Sequence, residues 1–385
     1  MPPRSKSLKS RKALERKERK LLEARIKASR EKCEEGQLFL EPTGRNAHPN
    51  YAKATAALEA ALETYDGNAD AYFLMGECLR GQDEHDKAIE YYTQCLGRDL
   101  ANFRALEGRA ASYMALHKWS LAFEDYSAVI QLEPENDHVY NLRGLCTLST
   151  RVPGLRLLSV DFNHCVGDFQ TALRLNEANY YAWANLGRAY EDQGMLKEAL
   201  NAYSSALKVK EDYADAQVRR ACLALRIVEN SWGYDEDQGN GVEKPKQNGR
   251  ITSGVVSIPK SVKDVEDEVR LEMDAVTQRQ KEEELLNDAI RDFQALMAEA
   301  TNKMKWDPCL PLNLGSCFLL QKNLNRAEEE FKLVMEIINT RPQLVADGEA
   351  EPIPNVEAIE KVLNLKKAIV KTTRNQRFLA EKQQI

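Results

Sequence analysis

Apolar residues return along this chain in two alternating clusters, and the clusters keep a 34-residue period. Tyr72, Met75, Gly76 and Leu79 stand three and four apart, the spacing of one helical face, and Ala88 and Tyr92 follow on a second. The same slots recur at Leu106, Ala110 and Tyr113 with Ala122 and Tyr126, and at Tyr140 and Gly144 with Phe169 and Ala172. They are fullest at Trp183, Leu186, Gly187 and Tyr190, followed by Ala199, Tyr203 and Ala206. The units run 69–102, 103–136, 137–179 and 180–213. The third is nine residues too long, and the excess falls at 151–164, where Val152-Pro-Gly154 breaks a helix and a loop is expected.

Weaker copies flank these four. Gly36 and Phe39, then Ala54, Leu58 and Ala61, predict a unit near 29–68 with a long turn from Glu41 to Asn50. Residues 214–229 supply one further first helix, a half-repeat. Periodicity is lost from 230 to 260, where five Gly, two Pro and Asp235-Glu-Asp237 read as a flexible acidic linker. A charged helix is expected next, in which Ala289, Phe293 and Leu296 are spaced like a second helix. With a degenerate repeat at 308–341 it makes up a 261–341 segment; Leu314, Gly315, Phe318, Ala327 and Phe331 match there, and Pro311 stands where Trp is usual. The last segment, 342–385, is a linker and an amphipathic helix from Asn355 to Lys382.

The run Trp183-x2-Leu186-Gly187-x2-Tyr190, then Ala199-x3-Tyr203, resembles the tetratricopeptide repeat, whose pattern is W-x2-L-G-x2-Y followed by A-x3-F and P. The resemblance implies an all-α fold, an α-α superhelix of stacked helical hairpins, because one hairpin cannot bury its apolar face alone. On this reading a basic helical tail (1–28) precedes the solenoid (29–229), and the C-terminal amphipathic helix is a cap with a polar outer face. Gly76, Trp183, Gly187, Tyr190, Ala199 and Tyr203 become structural repeat positions.

In that family the concave groove is lined by fixed positions of each first helix. Carried onto this chain they place Phe73, Asn141, Tyr181, Asn185, Arg188 and Arg219 in a candidate peptide groove. An asparagine amide both donates and accepts, so it can pair with a peptide bond of an extended ligand; Tyr181 would be an aromatic anchor. Arg188 and Arg219 favour an acidic partner segment, while Phe73 with Glu77 and Glu107 makes the upstream part acidic and apolar. The partners implied are other proteins, offering a peptide segment or a helix. The two-carboxylate clamp of chaperone-binding repeats is not expected: positions 5 and 9 hold Phe73/Glu77, Glu107/Ala111, Asn141/Leu145 and Ala184/Arg188 rather than Lys and Asn, and Asp215 stands where Lys is needed.

Charge sharpens the picture. Residues 1–32 carry thirteen Lys/Arg against four Glu, and the remainder 41 basic against 56 acidic residues, so a basic tail precedes an acidic body. With no aromatic residue among those charges, the tail offers phosphate- or carboxylate-type attraction without base stacking, to nucleic acid or a tubulin surface. Glu15, Glu18 and Glu23 argue against a mitochondrial presequence, and no apolar run suits a membrane span. The eight cysteines include no CxxC. Cys78, Cys146 and Cys317 share position 10 with Ser112 and Ala189, a small-residue packing slot in a reducing compartment. A cytoplasmic setting is expected, with nuclear and ciliary or cytoskeletal ones open.

None of the five histidines has metal-ligand spacing to another, and no phosphate loop or nucleophile elbow is present, so no catalytic residue, metal or cofactor is expected. Two functions follow. One is a non-enzymatic scaffold or adaptor holding a peptide or helix in its groove. The other is a structural component whose tail targets an acidic polymer (microtubule, axoneme or ribonucleoprotein), with the solenoid as spacer.

Overall fold

The computed structural model describes the backbone of residues 4–41, 48–150, 158–232, 262–298, 307–347 and 350–383, and side chains in these stretches except 4–13, 159, 232, 262–275 and 376–383. Every regular element among them is a helix. The chain divides into two compact units, Met1–Gln193 and Gly194–Ile385.

The first unit holds α1 (Arg4–Leu40), α2 (Tyr51–Thr64), α3 (Ala69–Arg80), α4 (His85–Leu96), α5 (Phe103–Ala115), α6 (Trp119–Leu132), α7 (Asp137–Ser149), α8 (Ser159–Leu175) and α9 (Tyr180–Gln193). Helices α1, α3, α5 and α7 each pack on the even helix that follows, and each even helix packs on the next odd one. Three of these hairpins close on glycine, and α5 carries Ala110 in the same slot. Cβ atoms added at Gly36, Gly76 and Gly144 would lie 2.8 Å from Leu58, 2.5 Å from Tyr92 and 2.8 Å from Phe169, so the second helix can approach only where no side chain intervenes. Tyr92 is also pressed by Gly108 of the next hairpin, at 2.6 Å, and is fully buried between the two.

Two local devices recur in register. The turn inside the hairpin needs one residue in the left-handed region, and Asp83, His117, Gly194 and Lys322 all fill it at the fifteenth position of their units. An asparagine ends four successive units: Asn68, Asn102 and Asn179 accept from the backbone N–H three residues on, of Ala71, Ala105 and Ala182, and so cap α3, α5 and α9. Asn136 holds the same slot before α7 and makes no side-chain cap bond.

Three expectations need adjusting. The basic segment and the first helix of the first hairpin are one continuous helix, α1, with no break at 28/29. Helix α8 begins at Ser159, so 159–164 of the expected loop is helical, with Asp161 favourably placed in the first turn; residues 151–157 lie outside those described. The charged segment, expected to stand apart from the half-repeat, is its partner.

That pairing organises the second unit, which holds α10 (Leu196–Val209), α11 (Ala214–Trp232), α12 (Val262–Ala298), α13 (Cys309–Leu320), α14 (Leu324–Ala346) and α15 (Val356–Gln383). Helices α11 and α12 form a hairpin interrupted by the 230–260 stretch, most of which lies outside the described residues. Ala221, Leu225 and Val228 pack with Leu286, Ala289, Phe293 and the α13/α14 hairpin in one core. Pro311 is buried in the first turn of α13, where its missing N–H costs nothing, and α14 runs five residues past Arg341 through Pro342. Leu363, Lys366 and Val370 form the buried stripe of α15, and Lys366, 4 % exposed, reaches Glu229 of α11 at 2.9 Å.

A line of groove residues across four first helices

Successive first helices of the first unit are linked by side chains at the candidate groove positions. The Arg104 guanidinium of α5 sits over the Phe73 ring of α3 at 5.3 Å. From α5, Glu107 Oε1 accepts from Asn136 Nδ2 at the head of α7, 3.1 Å away. Asn185 Nδ2 of α9 donates to Asn141 Oδ1 of α7 at 2.9 Å, and Arg188 Nη1 donates to Asn185 Oδ1 at 3.4 Å. Thus Phe73, Arg104, Glu107, Asn136, Asn141, Asn185 and Arg188 lie along α3, α5, α7 and α9 in order.

Burial assigns different tasks along this line. Asn141 is 3 % exposed and Asn185 9 %, so the two amides largely satisfy each other. Asn141 supports Asn185 rather than presenting a free amide. Tyr181, 47 % exposed, lies against Tyr180 with ring centroids 4.1 Å apart. Arg219 belongs to α11 in the second unit, where its Nε meets Asp215 at 3.0 Å, so much of its charge is already balanced. Asn136 makes no side-chain cap bond and its Nδ2 donates to Glu107, a link that sequence reasoning missed. The recurrence of asparagine at the last position of four units was the available signal.

The two carboxylates at candidate groove positions also differ. Glu77 is fully engaged: Arg80 Nη2 donates to its Oε2 at 2.7 Å and the Tyr92 hydroxyl to its Oε1 at 2.5 Å. That hydrogen bond to Glu77 is the main reason the Arg80 guanidinium holds its proton more tightly than usual. Glu107 has Asn136 alone, with no ion pair among the described residues. Burial pushes its carboxyl above the usual carboxylate range, opposed by His138, Asn136 and Arg104.

Behind the line, the expected structural positions form the packing layer. Gly76, Gly187, Ala199 and Tyr203 are buried, Trp183 Nε1 donates to the Glu177 carbonyl at 3.0 Å, and Tyr190 meets Phe162 edge-on at 6.2 Å. Among the described residues no group of three or more His, Cys, Asp or Glu could hold a metal ion, and no helix is long and apolar enough to cross a membrane.

Family models for the tetratricopeptide repeat match residues 47–105 and 180–213, the stretches that carry α2–α4 and α9–α10. The chain carries tetratricopeptide repeats. Human tetratricopeptide repeat protein 13 is 30 % identical over 177 residues, covering 38 % of this chain and 20 % of that protein. The peroxisomal targeting signal receptor of Saccharomyces cerevisiae is 24 % identical over 209 residues, covering 46 % of this chain and 34 % of the receptor. The chain thus spans a fifth to a third of the length of these relatives. A tetratricopeptide repeat protein from Parabacteroides merdae aligns over 89 % of this chain and 99 % of its own, at 16 % identity and a TM-score of 0.49. Tetratricopeptide repeat proteins generally mediate protein–protein interaction.

Proposed function

We propose that this chain is a non-enzymatic scaffold or adaptor that holds an extended segment of another protein along the first helices of its first unit. The observation that carries the reading is the Asn141–Asn185–Arg188 relay. It fixes a cationic group about two helical turns along α9 from the exposed Tyr181, without using either residue in the core. An exposed aromatic and an oriented guanidinium on the same helix suit a carboxylate-bearing segment at that end. The relative named as a targeting signal receptor is consistent with partner binding by such repeats. The missing Lys–Asn pair argues against the chaperone type of carboxylate clamp. A cytoplasmic setting fits the thiol-rich core, with eight free cysteines.

Affinity purification or proximity labelling with the full chain tests the proposal. The Tyr181→Ala/Arg188→Ala variant should lose its partners while keeping its circular dichroism spectrum. Full retention would refute the groove.

A second reading has its own observation. Residues 14–25 of α1 are exposed on every side of the helix, and Arg25 makes the first tie to α2, its Nε donating to the Thr64 carbonyl at 2.8 Å. On that reading the basic helix contacts an acidic polymer and the repeats are a spacer. Binding lost on deleting residues 1–24, and falling steeply with salt, would favour it.

A further inference from the structure

We infer that Glu107 anchors a lysine or arginine side chain of the bound segment, and that the segment carries an acidic residue for Arg188 about six positions away. The inference rests on the groove reading above and gives it a direction and a charge pattern.

Three observations converge on Glu107. First, its carboxylate is half-buried on the line and makes no ion pair among the described residues, Arg104 and His138 acting on it only from beyond contact, whereas Glu77 one hairpin upstream is closed off by Arg80 and Tyr92. A half-buried carboxylate with no cation in contact gains from one that completes its hydrogen bonds. Second, the Asn136 amide at the head of α7 donates across to Glu107 at 3.1 Å, which fixes the orientation of the carboxylate on the line. Third, the surroundings suit an ammonium or guanidinium with an alkyl stem: the Tyr126 hydroxyl donates to the Met114 sulfur at 3.3 Å close by, and the Phe73 ring already carries a guanidinium at 5.3 Å. Burial that raises the Glu107 carboxyl has the same origin, and a partner cation would reverse it.

At the other end Arg188 also lacks an ion-pair partner among the described residues, its guanidinium being held by Asn185 alone. Helices α5 and α9 have one first helix, α7, between them. With packed helices about 8–10 Å apart, the two charges are separated by roughly 20 Å. An extended chain rises about 3.3 Å per residue, so a basic and an acidic residue some six positions apart would meet both. The buried Asn141–Asn185 pair lies between them.

The experiment is selection of random 12-residue displayed peptides on the full-length chain, followed by titration of one recovered synthetic peptide. The peptides should share Lys or Arg and, about six residues away, Asp or Glu. Glu107→Gln should weaken the titrated peptide roughly tenfold or more, the loss of one charge-assisted contact. Glu107→Lys should bind the same peptide with its basic residue changed to Glu better than the original. Circular dichroism of each variant confirms the fold. If the recovered peptides show no basic position, or bind Glu107→Lys unchanged while Tyr181→Ala/Arg188→Ala abolishes binding, the cationic anchor is wrong and the groove stands. If no peptide is recovered, or binding ignores all these residues, the groove reading falls and the anchor with it.

Discussion

Arg220 of α11 grips Asp292 of α12 through two parallel hydrogen bonds, Nε to Oδ2 at 2.8 Å and Nη2 to Oδ1 at 2.6 Å, across 72 residues of chain. The same fork joins Arg109 to Asp125 and Arg143 to Asp168. In each case the arginine is the seventh residue of a first helix, and the aspartate immediately precedes the buried aromatic (Phe293, Tyr126, Phe169) of the second. Arg109 and Arg143 also reach back to Thr93 and Ser127 of the preceding hairpin.

These forks are hairpin staples, and each works as a unit. Asp292→Ala leaves a mostly buried guanidinium unpaired and should cost about 2–3 kcal/mol. The double change Arg220→Leu/Asp292→Ala copies a combination this chain uses elsewhere, Leu186 with Ala202 at the matching positions. It should recover most of that loss. Urea denaturation of the two single variants and the double decides it, because a staple predicts a strong coupling term.

The fork also shows where the interrupted hairpin truly begins. Ser231 Oγ at the end of α11 meets Glu282 Oε1 of α12 at 2.5 Å, so α12 from Val262 to Glu282 continues about 30 Å past its partner. Replacing residues 235–276 with a short Gly-rich turn should therefore leave the melting temperature within a few degrees. A collapse of the second unit would mean that the excised stretch carries packing.

How much of this was legible beforehand follows from the range of each signal. The 34-residue register located Gly76, Gly144 and Gly315 against Tyr92, Phe169 and Phe331, because slots of one hairpin recur at fixed offsets. The pairing of α11 with α12 was hidden, since an insertion destroys the offset while leaving both faces apolar. The couplings of the candidate residues were not legible either. Nothing in single-chain spacing tells that Asn185 spends its amide on Asn141, that Arg219 is balanced by Asp215, or that Asn136 donates to Glu107.

Glycines separate cleanly into two kinds. Gly315→Ala puts a Cβ 2.5 Å from the Phe331 ring and should destabilise by about 1–3 kcal/mol. Gly167, exposed in mid-α8, has nothing within 4 Å of the corresponding Cβ. Gly167→Ala should instead stabilise by about 0.5–1 kcal/mol, through helix propensity. Thermal melts of the two variants should shift in opposite directions.

Alkaline pH should unfold the chain through its thiols. Burial pushes Cys33 and Cys95 from 9.0 to about 11, and Cys146 and Cys165 to about 12. A thiol with a raised folded-state pKa favours the folded state fully below its unfolded value. That advantage is lost as pH rises from about 9 through 11–12, because the unfolded chain gives up the protons first. The melting temperature should be flat on this account up to about pH 8.5 and fall above it. Exchanging Cys146 and Cys165 for Ala should flatten the decline, and a decline of unchanged steepness would put its source elsewhere.

The amino-terminal helix separates folding from function most directly. Residues 14–24 bury nothing, whereas Ser29 is fully buried, donating to the Ala61 carbonyl at 2.8 Å and accepting from Asn68 Nδ2 at 2.9 Å. Deleting residues 1–24 should therefore leave the melting temperature unchanged, while deleting 1–30 removes that link between α1, α2 and the head of α3 and should lower it by several degrees. Any binding lost in the shorter truncation is then an effect of the basic surface alone. It should be mimicked in the full chain by Lys→Glu and Arg→Glu exchanges among residues 16–20, and by raising the salt concentration. Should the shorter truncation keep every partner that Tyr181→Ala/Arg188→Ala loses, the first helices do the holding and the basic helix is accessory. The reverse pattern would move the function from the repeats to α1.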